Sequence, residues 1–300
     1  MPTIESSEHR LYAASPEGAR LLDLHPALGT ASRAIDLVPP GVYEGLRTFE
    51  RTRFFGLRTH LERLERSIAG FGEPLEYDRA AFVRTLDAVA HDAARVFDCE
   101  ARVRIDVAAG PATALGSDSN VLVAVSPYRG LPAHVTEHGA LLRTACSLSR
   151  PAPAVKTSNF IPLREAWIRA HGDADAYEHV MVGPEGELLE GTQSNLVLVR
   201  DGAVVAPPSG ILPGVTMGAV LDLAAEQGLE VRREFVTFAE LEDCEEAFIT
   251  TSVRSVVPVS RIDERTFPNG GPVTRRLSAL YDALTIADAA PASDHASARY

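Results

Sequence analysis

The sequence is almost without lysine. Lys156 is the single lysine among 300 residues, while arginine occurs 28 times. An arginine side chain stays protonated in proteins, whereas a lysine amine can lose its proton and attack a carbonyl carbon to form a Schiff base. A chain that takes its cations from arginine keeps a lysine where amine chemistry is needed, or keeps one surface lysine by chance. The residues around Lys156 must decide between these interpretations.

Cysteine and long apolar runs are also scarce. Cys99, Cys146 and Cys244 are odd in number and far apart, so they predict neither a disulfide framework nor a Cys-x-x-Cys metal site. Reduced, buried thiols are the default for such a chain, and they favour the cytoplasm. Residues 1–14 carry charges, and no stretch approaches the ~18 apolar residues of a membrane span. The sequence thus predicts neither export nor membrane insertion.

Basic clusters are missing as well. With 29 basic against 41 acidic residues, the formal net charge is −12. A nucleic-acid partner is not expected, because binding to a phosphate backbone needs clustered Lys and Arg. What the chain does have is 45% hydrophobic residues, which can form a large core in one or two globular domains.

Periodicity and turn residues predict a mixed α/β (α+β) fold with two domains. A small N-terminal α/β domain is expected over 1–126, followed by a turn-rich linker at 127–137. A large, β-rich C-terminal domain is expected over 138–300, with a frayed tail from about residue 287.

The individual elements follow from the same patterns. Strands are predicted at 31–38, 41–49, 53–57, 102–107, 121–125, 140–146, 178–182, 195–199, 229–235, 247–250 and 256–262, with hairpin turns at 183–186 and 201–202. Helices are predicted at 78–97, 162–170, 216–227 and 273–284. A further helix is expected to start with Thr59 as its N-cap, with Arg63 off its apolar stripe. Period two places Tyr43, Gly45 and Arg47 on one strand face.

Three short segments carry side chains that suit a binding site. Residues 210–216 form a Pro-Gly turn that runs into a helix N-terminus, where free N–H groups and the helix dipole favour an anion such as phosphate. Glu190 places one carboxylate among apolar and small polar residues, and residues 250–252 end a strand with three hydroxyl groups. Taken singly, each segment also fits an ordinary loop, a solvent-facing glutamate or a plain strand end.

The order of these segments resembles that of the class IV aminotransferases, the fold-type IV enzymes that use pyridoxal 5′-phosphate (PLP). The matching order is Lys156, then Glu190-Gly191, then Leu212-Pro-Gly-Val-Thr216, then 246–252. Upstream, His60-Leu-Glu-Arg-Leu64 is similar to the family's HxxRL, and Gly41-Val-Tyr-Glu-Gly-Leu-Arg47 to its GxxxEGxR strand. The resemblance covers about residues 41–285 and implies a two-domain, D-amino acid aminotransferase-like fold.

The resemblance implies a role for each matching residue. Lys156 would hold PLP through a Schiff base and move the proton from the substrate Cα, while Glu190 would face the pyridine nitrogen and favour its protonated form. The implied phosphate ligands are Arg63, the backbone N–H groups of Val215 and Thr216, and the Ser252 hydroxyl. The implied reaction is ping-pong transfer of an amino group from an amino acid or amine donor to a 2-oxo acid acceptor.

The resemblance leaves the substrate open. Branched-chain L-amino acids, D-amino acids and (R)-amines are the possible donors, with an aminodeoxychorismate-lyase-like enzyme and a non-catalytic PLP-binding protein as alternatives. The candidate substrate-binding residues are Tyr43, Gly45, Arg47, Arg102, Arg104, Phe160 and Thr251. Arg102 and Arg104 share a strand face, where they either grip a substrate carboxylate or face solvent.

Two features depart from the family pattern, and one further property is implied. Phe160 stands near where branched-chain aminotransferases usually show a tyrosine that contacts the cofactor's ring oxygen, so this contact is missing or supplied elsewhere. Residues 36–40 lack the glycine-rich run that usually precedes the GxxxEGxR strand. The resemblance also implies a homodimer, with Tyr43, Gly45 and Arg47 available to line the pocket.

Overall fold

The computed structural model of the protein describes residues 9–15, 18–23 and 34–295. The chain divides into two compact units, each assembled from separate stretches. The first unit comprises Met1–Arg129, Val155–Asn159 and Thr285–Tyr300, and the second comprises Gly130–Ala154 and Phe160–Leu284. Lys156 therefore belongs to the first unit. The predicted domain limits at 126, 127–137 and 138 stay a prediction.

The first unit is a sheet with helices packed on one face. Its elements are β1 (Arg10–Ser15), β2 (Gly18–Leu21), β3 (Gly41–Arg47), β4 (Arg53–Phe54), α1 (Leu57–Gly70), α2 (Arg79–Val96), β5 (Ala101–Ala108) and β6 (Val121–Pro127). Five strands form an antiparallel sheet in the order β2-β1-β6-β5-β3. Apolar residues of α1 and α2 pack with Val42, Leu46 and Ile105 of the sheet to form the core. The alternation predicted for β3 is confirmed, because Tyr43, Gly45 and Arg47 lie half-buried on the other face.

Several predictions for the first unit are wrong in detail. Residues 34–35 are helical rather than part of a strand, and residues 31–33 lie outside the described residues. Helix α1 begins at Leu57 after Gly56, which has a positive φ of 61°, so Thr59 lies inside the helix. The hairpin predicted between 41–49 and 53–57 is reduced to one bridge, between Phe49 and Arg53 of β4. Strand β4 otherwise pairs with Ala290–Pro291.

The second unit is β-rich. Its elements are α3 (Ala133–His138), β7 (Ala140–Ala145), α4 (Phe160–His171), β8 (Glu178–Val182), β9 (Leu188–Gly191), β10 (Asn195–Arg200), β11 (Ala203–Ala206), α5 (Val215–Glu226), β12 (Val231–Arg233), β13 (Cys244–Thr251), β14 (Ser255–Ile262), β15 (Arg265–Thr266) and α6 (Pro272–Asp288). The sheet order is β12-β11-β10-β13-β14-β7-β8-β9, and an additional β9–β10 pairing closes six strands into a ring. Apolar side chains such as Leu142, Val180 and Ile249 pack together as the core of this ring.

Most elements predicted for the second unit are confirmed. Asp201 and Gly202 have positive φ values of 54° and 72°, the conformation of a tight hairpin turn, and Gly228 with φ 75° ends helix α5. The predicted fraying from 287 is wrong up to residue 295. Helix α6 continues to Asp288, and Ala292 is fully buried in a short 3₁₀ segment.

Three further findings bear on the sequence predictions. All three cysteines are free thiols, but Cys146 is exposed, which corrects the expectation of buried thiols. Among the helices of the described ranges, none is long and apolar enough to cross a lipid bilayer. The mixture of helices and sheets agrees with the predicted fold class.

Candidate active site

The segment around Lys156 is hydrogen-bonded along the edge of the first unit's sheet. The Lys156 carbonyl accepts a bond of 2.9 Å from Tyr43 N, and Ser158 N donates to the Gly41 carbonyl at 2.9 Å. From the other side, the Ser67 hydroxyl accepts a bond of 3.1 Å from Lys156 N. The backbone on both sides of the lysine is therefore fixed, although the segment lies in a loop.

The Lys156 amine lies beside an aromatic ring. Its Nζ atom is 4.7 Å from the centroid of the Tyr43 ring, and Cζ of Arg104 is 4.9 Å from the same centroid. The face of an aromatic ring attracts a cation, so Tyr43 stabilises the ammonium form of the lysine. Lys156 is half-buried, which leaves its amine partly accessible.

A buried charge cluster lies under β3 in the same unit. Glu44 is fully buried and accepts hydrogen bonds of 2.7 Å from both Nε and Nη2 of Arg63. Its Oε2 also lies 2.9 Å from Nδ1 of His60. Burial alone would raise the pKa of Glu44, but the Arg63 charge and the hydrogen bonds lower it well below its usual range. The group is thus a carboxylate, which can only accept, so His60 Nδ1 carries the proton.

The same cluster determines the charge of His60. Burial lowers the pKa of His60; Glu44 opposes this, and the positive charges of Arg63 and Lys156 lower it further. His60 is therefore neutral at pH 7. Arg63, predicted to lie off the apolar stripe of its helix, is nevertheless buried: it is 4% exposed, and Glu44 neutralises it inside the core.

Glu190 lies buried in the second unit with donors on both oxygens. Its Oε1 accepts a bond of 3.1 Å from Nε of Arg150, and its Oε2 accepts bonds of 3.1 Å from Nδ2 of Asn195 and 3.0 Å from the Leu212 N–H. Its side chain is 2% exposed, so the solvent-facing alternative for Glu190 is excluded. Three N–H donors converge on this group and favour its ionised form.

Arg150 is a site residue that the sequence did not indicate. Its Cζ lies 4.2 Å from the centroid of the Phe160 ring, and its side chain is 4% exposed. Its Nη1 is buried and has no hydrogen-bond acceptor among the residues that the structure describes. A buried guanidinium N–H without an acceptor is costly, so this position suits a ligand that brings an acceptor atom. Phe160, predicted as a substrate residue, lies against Arg150.

The N-terminus of helix α5 carries unsatisfied backbone donors. The helix follows Gly214, whose backbone is extended and which has no side-chain cap, so the N–H groups of Val215 and Thr216 lack intrahelical acceptors. A Cβ atom at Gly214 would be 1.9 Å from Oδ1 of Asn195, so only glycine fits there. Asn195 also donates to the Leu212 carbonyl at 2.8 Å and so holds the loop that leads into the helix.

Three hydroxyl groups meet at this helix N-terminus. Oγ1 of Thr216 lies 3.4 Å from Oγ of Ser252 and 3.0 Å from the Tyr281 hydroxyl. Thr216 and Tyr281 are each 2% exposed. Sequence reasoning missed Tyr281, because a tyrosine in an amphipathic helix also fits an ordinary core position.

The other candidate substrate residues of the first unit lie on the outer face of its sheet. The register pairs Tyr43 with Asp106, Gly45 with Arg104 and Arg47 with Arg102, so these six residues share one face of the sheet. Arg104 donates to Asp106 through Nε at 2.9 Å and Nη2 at 2.7 Å, so its fork is occupied by a carboxylate of this chain. Burial raises the pKa of Asp106, and Arg104 opposes this.

The remaining candidates have different surroundings. Arg102 is exposed, and Cζ of Arg47 lies 4.4 Å from the Phe49 ring centroid and 4.9 Å from that of Tyr128. In the second unit, Oγ1 of Thr251 accepts a bond of 2.9 Å from Arg254 N, which orders the turn after β13. The structure thus groups Lys156 with Tyr43 in one unit, and Glu190, Thr216 and Ser252 in the other.

A protein-family model and a similar protein both correspond to aminotransferases. The model described as amino-transferase class IV matches residues 41–262. A protein of Thermotoga maritima, named "probable branched-chain-amino-acid aminotransferase", is 31% identical over 252 residues, which cover 82% of this chain and 86% of that protein.

Solved structures show the same fold. A "putative branched-chain amino acid aminotransferase" from Thermotoga maritima superposes with a TM-score of 0.72 at 28% identity, over 93% of this chain and 96% of the other. An aminotransferase from Brucella abortus bound to PLP has a TM-score of 0.71 at 23% identity, over 92% and 99% of the two chains, and at this identity it shows the fold alone.

Proposed function

We propose that this chain, which belongs to the amino-transferase class IV family, moves the amino group of a branched-chain L-amino acid to a 2-oxo acid. It is a PLP-dependent enzyme with a fold of type IV. The observation that carries the proposal is Lys156, the single lysine, on a segment hydrogen-bonded along β3 with its amine beside the Tyr43 ring. The branched-chain donor is supported by the names of similar proteins.

The residues present fit PLP. The free N–H groups at the start of α5 and the hydroxyls of Thr216 and Ser252 suit a phosphate group. The buried Glu190 carboxylate suits a protonated ring nitrogen, and the unsatisfied Nη1 of Arg150 needs an acceptor of the kind that a cofactor oxygen provides.

Lys156 has two tasks in this proposal. When bound, PLP supplies an aldehyde that condenses with amines and a ring that accepts the electrons left on the substrate Cα. The Lys156 amine would hold the cofactor covalently at rest, and its Nζ would take the proton from the substrate Cα and return a proton at the end of the half-reaction. Tyr43 stabilises the protonated amine through the face of its ring.

The remaining residues are proposed to bind the cofactor and to orient it. Glu190 would favour a proton on the ring nitrogen, and Arg150 and Asn195 hold the Glu190 carboxylate in place. Arg63, the N–H groups of Val215 and Thr216 and the Ser252 hydroxyl are the proposed phosphate ligands. Glu44 fixes the plane of the Arg63 guanidinium before any ligand binds.

The outer face of the first sheet is proposed to line the substrate pocket in a cytoplasmic homodimer. Space is open above Gly45, between Tyr43 and Arg47. Because Asp106 occupies the Arg104 fork, this arginine is not free to bind a second substrate carboxylate bidentately.

A donor panel tests the proposal. The enzyme is incubated with PLP, with the L- and D-forms of leucine, isoleucine and valine or with (R)- and (S)-phenylethylamine, and with 2-oxoglutarate or pyruvate as acceptor. L-branched-chain donors should give the highest kcat/KM, with release of the matching 2-oxo acid. Turnover of only D-amino acids or (R)-amines would contradict the substrate, and cleavage of aminodeoxychorismate without transamination would contradict the reaction.

A further inference from the structure

We propose that Tyr281 is a positioning residue for the cofactor phosphate and that it acts through Thr216. The inference rests on the proposed function, because it takes the α5 N-terminus as the phosphate site. Tyr281 lies on α6, 2% exposed, and its hydroxyl is 3.0 Å from Oγ1 of Thr216, the second residue of α5. Two elements that are far apart in the chain thus meet at the start of this helix.

Tyr281 matters because Thr216 has only one hydroxyl proton. A threonine hydroxyl has one proton to donate and two lone pairs that accept, whereas a phosphate dianion only accepts. Thr216 can direct its proton to a phosphate only if its neighbours use its lone pairs rather than its proton. Tyr281 meets this condition when it donates to Oγ1 of Thr216.

The hydroxyl of Ser252 is a competing acceptor for the proton of Thr216. Oγ of Ser252 lies 3.4 Å from Oγ1 of Thr216, so Thr216 can spend its proton on Ser252. A donor on Thr216 and an anion at the helix N-terminus together favour a different arrangement, in which neither hydroxyl donates to the other and both Thr216 and Ser252 donate to the anion. Gly214 supplies no side-chain cap, and the hydroxyl of Thr216 belongs to the second residue of the helix, whose own N–H is one of the free groups.

The test compares two ligands that differ only in the phosphate. Dissociation constants of PLP and of pyridoxal, which lacks phosphate, are measured for wild type and Tyr281→Phe. We expect the variant to weaken PLP binding about threefold to tenfold, as for the loss of one hydrogen bond, and to leave pyridoxal binding unchanged. Tyr77→Phe is the control, since the Tyr77 hydroxyl is also buried but has no partner within the described ranges.

A double variant tests whether Tyr281 acts through Thr216. If it does, Tyr281→Phe should add nothing to the loss of PLP affinity caused by Thr216→Val, because effects of residues that act through each other are not additive. An unchanged PLP affinity in Tyr281→Phe, an equal loss for PLP and pyridoxal, or full additivity with Thr216→Val would each overturn the proposal. A wild type that binds no PLP would instead overturn the proposed function.

Discussion

Glu44 and Arg63 join two separate sequence motifs in one buried ion pair. Glu44 belongs to the GxxxEGxR strand and Arg63 to the HxxRL helix, and two bonds of 2.7 Å connect them inside the core. The pair fixes the guanidinium of a proposed phosphate ligand. Breaking such a pair leaves a buried charge without its partner, which costs more than the pair contributes when intact.

Glu44→Gln should therefore reduce both stability and cofactor affinity. We expect a loss of about 3 kcal/mol in the free energy of unfolding, measured by urea denaturation, together with weaker PLP binding. The control is Glu65→Gln on α1, the helix that carries Arg63; it removes the partly exposed partner of Arg79 and should cost less than about 1 kcal/mol. Equal effects of the two substitutions would contradict the role given to the buried pair.

His60 should make stability fall with decreasing pH. Its pKa in the folded state is lowered from the usual 6.5, mainly by burial, so below pH 6.5 the unfolded chain binds more protons than the folded one. The stability that this group contributes is therefore complete above 6.5 and is lost as the pH falls. In His60→Asn the free energy of unfolding should change less steeply between pH 7.5 and pH 5. His91→Asn, at an exposed histidine of α2, is the matched control, and an unchanged slope in His60→Asn would contradict the role given to His60.

Arg150 should control both the affinity for PLP and its visible spectrum. Arg150→Met removes a cation next to Glu190, so the pH at which the visible absorption of bound PLP changes should move upwards. PLP affinity should fall more than tenfold, because a charge-assisted bond and a buried pair are lost. Arg169→Met, an exposed arginine on α4, is the control. A wild-type titration in Arg150→Met would show that Arg150 has no influence on Glu190.

Gly214 should tolerate no side chain, in contrast to a neighbouring glycine. In Gly214→Ala the new Cβ would meet Oδ1 of Asn195 at 1.9 Å, so we expect a loss of about 1–3 kcal/mol in stability and at least tenfold weaker PLP binding. Gly218→Ala, on the same helix with open space around it, should raise stability by up to about 1 kcal/mol. Comparable PLP affinities in the two variants would show that the loop before α5 adapts.

Local patterns in the sequence account for much of this architecture. Period two in residues 41–47 predicted which side chains of β3 face away from the core, and the turn residues at 201–202 predicted a hairpin. The lysine count indicated Lys156, and the order of the motifs along the chain indicated Glu190. Each of these signals is a short motif, a composition count or the order of motifs along the chain, so it can be read without knowledge of the tertiary structure.

The missed features depend on contacts between distant residues. Arg150 lies 40 positions from Glu190 in sequence, and one buried arginine cannot be distinguished by composition from 27 others. Tyr281 meets Thr216 across 65 positions. The burial of Arg63 could not be read from helical spacing, because a charged residue is normally exposed and here the buried Glu44 reverses that preference.

The central claim is that Lys156 holds the cofactor, and borohydride reduction tests it most directly. The enzyme is loaded with PLP, reduced, digested with a protease that cleaves after arginine, and analysed by mass spectrometry. The account predicts that the reduced pyridoxyl group is found only on the peptide that contains Lys156, and that Lys156→Ala shows neither the modification nor the visible band of bound PLP. A pyridoxyl group on any other peptide, or a fully active Lys156→Ala, would contradict it.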